Sequence, residues 1–211
     1  MAQLRWGSDA PTDVDAARER LLVAAEAAFR RYGVLKTTVE DVATLAKVSR
    51  ATVYRYFAGR DELILGVLLR EGDRFIKRLS ARLDVAANLE DALLTGVVYT
   101  LQAIRRDKNL ALLFAPETAG LTTTIAGASE ALFSLMTGFI RPYLENGTTN
   151  APFPEGIDAS DAAEWLLRAV LSFATVEGPR KRTEQQLRDY LRCFLIPALV
   201  GPPAAVRVRP S

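Results

Sequence analysis

The sequence predicts an all-α chain. Apolar residues recur at helical spacing through most of its 211 residues. Ser, Thr, Asn or Asp stands ahead of the periodic runs, where an N-cap is needed, and Gly or Pro clusters separate them. With 49% apolar and 25% charged residues, the chain can bury the cores of one large or two small helical domains.

In chain order, residues 1–11 end in Pro11 and read as a poorly ordered arm whose Arg5 has the reach for a phosphate or a minor groove. Thr12 is expected to cap a first helix ended by Gly33, with Leu21, Ala25, Ala28, Phe29 and Tyr32 as its buried stripe. Thr38 caps a short helix carrying Val39, Val42, Ala43 and Ala46, and Asp41 is placed to complete a capping box. Lys47 and Val48 form a tight turn. Ser49 then caps a second short helix, Arg50 to Phe57. A fourth helix opens at Asp61 and runs to about Leu83, and a fifth runs from Asn88 to about Arg105. Asn109 to Ile140 holds only Glu117 and Glu130 as charged residues, and Pro116 and Gly120 divide it into a short helix and a long one from about Thr124 to Glu145. Residues 146–158 form the longest loop. Two further helices follow, the last with Leu187, Tyr190, Leu191, Phe194, Leu195 and Ala198 on one face and Pro197 placed to kink its end, before a basic tail at 201–211.

Two short helices joined so tightly, the second basic and aromatic, are the pattern of a helix-turn-helix. At 100° per residue, Val53 and Phe57 share the inward side of the second helix. Ala51 and Arg55 point away, and Thr52 and Tyr54 lie on the flanks. A small residue at Ala51 admits the helix to the major groove, where Arg55 has the donor fork for guanine O6 and N7. Seven basic residues against two acidic ones between Arg30 and Arg60 concentrate positive charge that the whole-chain balance of +2 hides. The competing reading of 37–63 is a helical hairpin with solvated charges and inward tyrosines.

The run Ser49-Arg-Ala-Thr-Val-Tyr-Arg-Tyr-Phe57, after Thr37-Thr38 and before Arg60-Asp-Glu-Leu63, resembles the DNA-binding segment of the tetracycline-repressor (TetR) family, and the likeness covers about 45 residues back through Leu21. It implies a homodimer with an N-terminal three-helix reader at 12–60 and a larger helical ligand-sensing and dimerisation domain at 61–200. By position it implies phosphate or base contacts at Thr38, Ser49, Arg50, Thr52, Tyr54, Tyr56 and Arg60; Arg55 is added from the helix wheel. Three departures are visible. Lys47 stands where the family commonly has Gly, Tyr56 replaces a frequent His, and Arg50-Ala51 replaces small or Lys-containing alternatives.

In the second domain Phe114, Phe133, Met136 and Phe139 are candidates to line a pocket for a small apolar effector, with Thr122 to Thr124 and Ser134 supplying hydroxyls; a solid core with aromatic filler is the alternative. Leu187, Tyr190, Leu191, Phe194 and Leu195 are candidates for a helical dimer interface, or else cover their own core. A lone Cys193 and no histidine exclude an internal disulfide, a Cys/His zinc site and imidazole catalysis, so no metal, cofactor or catalytic residue is expected, and Cys193 reads as an inert core thiol. Residues 1–20 lack the apolar core of a signal peptide, and no membrane span is seen, which makes the cytoplasm the expected location. The functional expectation is a repressor binding a pseudo-palindromic double-stranded DNA operator and released by a small apolar molecule. A DNA-bound adaptor gated by a protein partner is the alternative, and a helical-domain enzyme a remote one.

Overall fold

The computed structural model describes residues 11–145, 158–176 and 178–200, and the described residues hold helices and no strand. The helices are α1 (Val14–Tyr32), α2 (Val39–Ala46), α3 (Arg50–Tyr56), α4 (Arg60–Leu83), α5 (Leu89–Arg106), α6 (Lys108–Leu113), α7 (Ala119–Gly127), α8 (Glu130–Glu145), α9 (Ala159–Thr175), α10 (Glu184–Phe194) and α11 (Ile196–Val200). The readings made for the arm, most of the 146–158 loop and the tail lie outside the described residues.

Local chemistry sets most boundaries. Asp13, not Thr12, caps α1, its carboxylate accepting from Ala16 N–H at 2.7 Å; an anion this close also meets the positive end of the helix dipole. Gly33 ends α1 at φ 82°, a left-sided backbone that a side chain would strain. Asn88 accepts from Asp91 N–H ahead of α5, and capping boxes at Asp158/Asp161 and Thr183/Gln186 open α9 and α10. The long helix expected from Thr124 is broken at Ala128 and Ser129, between α7 and α8. The last helix is interrupted at Leu195, two residues ahead of Pro197, whose missing N–H cannot continue the ladder.

The chain divides into two compact units, Met1–Arg74 with Ile104–Ser129, and Phe75–Ala103 with Glu130–Ser211. The division falls inside α4 and α5, whereas sequence reading set a single border at residues 60/61.

In the first unit α1 packs on α2 and α6, and α2 on α3. Leu21, Ala25, Ala28 and Phe29 are buried as expected and meet a core that includes Val42, Val53 and Phe57, but Tyr32 is exposed. Gly66 lets α4 approach closely: a Cβ there would stand 2.7 Å from Leu22 Cδ2 and 3.2 Å from the Phe57 ring. Two carboxylates lie buried in this unit, Glu26 and Glu71. Arg70 bonds Glu26 at 2.6 Å and Glu19 at 2.7 Å, Arg74 bonds Glu71 at 2.7 Å, and Asn109 of α6 donates to Glu71 at 3.1 Å. Buried charge is tolerated only when paired in this way.

In the second unit α8 packs on α9 and α10 on α11. Leu191 and Leu195 are buried in this unit's own core. That corrects their assignment to a dimer interface, since an apolar helix face looks the same whether its own chain or another covers it.

Candidate nucleic-acid interface

The reading helix is held from three sides. Thr38 accepts from Asp41 N–H at 3.2 Å while Asp41 accepts from Thr38 N–H at 2.9 Å, the predicted capping box of α2. Lys47 takes the left-handed conformation, φ 57° and ψ 45°, and the next N–H, Val48, bonds Ala43 C=O at 2.9 Å, closing α2 in a Schellman-type turn. Ser49 then caps α3, accepting from Thr52 N–H at 3.1 Å. A non-glycine residue in this turn stores roughly 1 kcal/mol. Lys47→Gly is therefore expected to raise stability by up to about 1 kcal/mol, read as a rise of roughly 2–4 °C in melting temperature. A drop in melting temperature would show that the lysine side chain offsets its own strain.

Two arginines of α1, whose role no local pattern signals, fix where the short helices end. Arg18 donates to Tyr56 C=O at 2.5 Å, with its guanidinium 4.3 Å from the centre of the Phe57 ring, and Arg20 donates to Ala46 C=O at 3.0 Å. Cations thus meet the negative C-terminal ends of α3 and α2 in turn. At the exit of α3, Glu62 accepts from Ala58 N–H. The two arginine ties span 38 and 26 residues, beyond the reach of a periodicity argument.

What α3 presents follows from what it buries. Val53 and Phe57 are 0% and 1% exposed, while Ala51, Tyr54 and Arg55 face solvent. Arg55 makes no hydrogen bond or ion pair among the described residues, so its donors are uncommitted. Arg50 is exposed but engaged: it bridges to Glu40 at 2.6 Å and donates to Tyr54 Oη at 3.2 Å, which orients both side chains. Tyr56 is half-buried.

One expected contact is corrected, and another is tied to the fold by part of its donor set. Thr52 is only 6% exposed, and its hydroxyl lies 2.8 Å from Ser49 Oγ, so it serves the cap and does not face outward. Arg60 donates to Leu35 C=O at 2.8 Å and lies 3.9 Å from Asp61, an internal tie between α4 and the α1–α2 turn. The Thr38 and Ser49 hydroxyls are on exposed residues and already cap helices, yet each oxygen retains capacity for another partner.

A trihelical unit with this outward face has the geometry of a helix-turn-helix. Residues 21–67 match the family model described as bacterial regulatory proteins, tetR family. The chain carries a TetR-family DNA-binding domain. An uncharacterized HTH-type transcriptional regulator of Mycobacterium tuberculosis is 27% identical over 98% of this chain and 96% of its own. The HTH-type transcriptional regulator TtgR of Pseudomonas putida is 41% identical over 24% of each chain. Among solved structures, the TetR-family repressor AlkX of Dietzia, implicated in biodegradation of n-alkanes, superposes with TM-score 0.63 at 22% identity, covering 88% of this chain and 95% of that one. The fold is therefore TetR-like, with an N-terminal helix-turn-helix and a helical C-terminal region, and the chain is a transcriptional regulator.

The second unit offers a cavity of about 60 Å³ lined by α4, α5, α8 and α9 residues, including Leu79, Leu93, Val97, Met136, Phe139 and Leu166. Met136 and Phe139 reach it as expected, whereas Phe133 is absent from its lining and Phe114 belongs to the first unit. The Thr hydroxyls proposed for a pocket are spent locally: Thr122 donates to Leu113 C=O at 2.6 Å, and Thr123 and Thr124 bond carbonyls within α7. Ser134 is exposed. Cys193, read as a core thiol, is exposed too. Among the described residues no cluster of metal-ligating side chains is found, and no helix is long and apolar enough to cross a membrane.

Proposed function

We propose that this chain is a ligand-responsive repressor that binds a pseudo-palindromic DNA operator as a homodimer. The outward face of α3 carries the reading: an unpartnered Arg55 beside the small Ala51 and the exposed Tyr54, on a helix anchored by Val53 and Phe57. Arg55 reads base edges, while Tyr54, Tyr56, Arg50, Ser49 and Thr38 position the helix on phosphates. Two copies related by a twofold axis set their reading helices in successive major grooves, about 34–36 Å apart.

Dimerisation is supported by α9 and α10, where Trp165 and Phe194 remain 46% and 68% exposed; Leu187 and Tyr190 are part-buried, and the Tyr190 ring lies 4.7 Å from that of Phe194. A small apolar effector is supported by the cavity around Met136 and Phe139, which carries almost no polar surface. An effector that prefers the conformation with mis-spaced reading helices weakens DNA binding through a coupling energy of about 1–3 kcal/mol. The apolar cavity together with the open cleft that shares its wall favours a metabolite over a protein partner as the trigger.

The test is a footprint of the purified protein on DNA upstream of its own gene, repeated with apolar metabolites. A protected, twofold-symmetric site of two half-sites one helical turn apart, lost on adding an effector, is the expected result. Protection without symmetry would reject the dimer, and protection that no effector relieves would reject the ligand response.

A further inference from the structure

The apolar cavity in the second unit is too small at about 60 Å³ for a metabolite, but it does not end there. It shares Leu89, Ala92, Phe139 and Tyr143 with an adjoining open cleft of about 460 Å³. The cleft adds Ser80 and Asp84 from the end of α4 and its following turn. The two share this wall, the almost wholly apolar cavity forming the inner end of the space considered and the more polar, open cleft its outer end. No Lys or Arg stands among the described residues lining either part. The nearby cation Arg82 is engaged with the Tyr99 ring, its guanidinium 4.4 Å from the ring centre. Among the described residues, the Asp84 carboxylate is the only formal charge lining the space.

This arrangement selects by charge. An apolar body entering from the cleft loses water against Leu, Val, Met and Phe side chains, which any hydrocarbon does equally well. Its head comes to rest among Ser80, Asp84 and the Tyr143 hydroxyl. Burial first, with Asp84 adding to it and Ser80 opposing, holds that phenol above its ordinary range, so it stays protonated and polar. A head that donates a hydrogen bond is welcome beside a carboxylate, whereas an anionic head faces it without a counter-charge.

We propose that this space takes an amphiphile with a hydrogen-bond-donating head that carries no negative charge, an alcohol or an ammonium, and discriminates against carboxylate and phosphate heads. The proposal rests on the effector reading above and specifies its chemistry.

Isothermal titration of the full chain with 1-decanol, 1-decylamine and decanoate, all below their micelle concentrations at neutral pH, tests it. Decanol and decylamine are expected to bind, and decanoate at least about tenfold more weakly than either, equivalent to 1.4 kcal/mol. Asp84→Asn is expected to raise decanoate affinity and lower that of decylamine, leaving decanol nearly unchanged; the contrast between the last two separates attraction of charge from simple hydrogen bonding. Met136→Trp, which fills the inner end, is expected to abolish binding of all three, with thermal melting confirming that both variants fold. Decanoate binding as tightly as decylamine would overturn the proposal, as would unchanged discrimination in Asp84→Asn, or no binding by any probe. Operator binding is measured on the same preparations. Discrimination without DNA binding would sink the repressor reading alone, and DNA release by all three probes equally would sink the head-group proposal alone.

Discussion

Arg55→Ala is expected to weaken operator binding by about 1–3 kcal/mol per half-site, and to relax preference at a single base pair in each. Arg55 is exposed on α3 and makes no hydrogen bond or ion pair among the described residues, so its removal leaves no orphaned partner and little effect on folding. The loss falls on DNA alone. Tyr54→Phe provides the contrast. It removes a hydroxyl that accepts from Arg50 at 3.2 Å, and with it a contact suited to phosphate. It is expected to weaken operator and random DNA to similar extents. Gel-shift titrations of both variants on operator and scrambled duplex, at one fixed salt concentration, decide the matter. If Arg55→Ala weakened both duplexes equally, base reading would have to be sought elsewhere on the helix.

Arg70→Met is the substitution expected to cost most stability, about 3–5 kcal/mol, because it strands the buried Glu26 carboxylate. Arg70 is the closest cation to Glu26, at 2.6 Å, and also holds Glu19; Arg74 lies further off, at 3.6 Å. The fall in melting temperature should reach roughly 10 °C or more. Glu26→Gln is expected to be mild or stabilising near pH 7. Burial pushes the Glu26 carboxyl above its ordinary value of 4.5, opposed by Arg70 and assisted by neighbouring Glu71. A folded-state pKa above the unfolded one favours the folded chain most where the group is protonated. That contribution is complete below 4.5 and disappears as pH rises through the raised value. The advantage of Glu26→Gln over the parent should therefore shrink as pH falls toward 4.5, as followed by thermal melts across that range. An advantage that grew on acidification would mean the carboxyl is depressed in the fold.

The reader was largely legible in the sequence because its instructions are local. Thr38 with Asp41, Lys47 in the turn and Ser49 ahead of α3 each act within a few residues, and each does what its chemistry dictates. What local spacing does not encode acts at a distance. Arg18 and Arg20 sit in a helix that reads as an ordinary amphipathic segment, and nothing in its spacing reveals that their guanidinium groups close the ends of α3 and α2. The resemblance implies a DNA contact at Thr52 by position alone, and position does not tell depth: its side chain is buried, with the hydroxyl beside Ser49 Oγ. The burial of Glu26 and Glu71 against Arg70, Arg74 and Asn109 is set by the packing of α1, α4 and α6, which helical spacing does not encode. In the second unit, apolar periodicity announced Leu191 and Phe194 alike, yet one is buried and the other 68% exposed, a distinction only packing makes.

The uncommitted state of Ala51 and Arg55 bears on how such a protein diversifies. Since neither side chain helps hold the scaffold together, mutations there change which sequences are recognised while leaving the architecture intact. Promoter and protein are then free to drift together, and a duplicated copy could acquire a new regulon by single steps without passing through an unfolded ancestor.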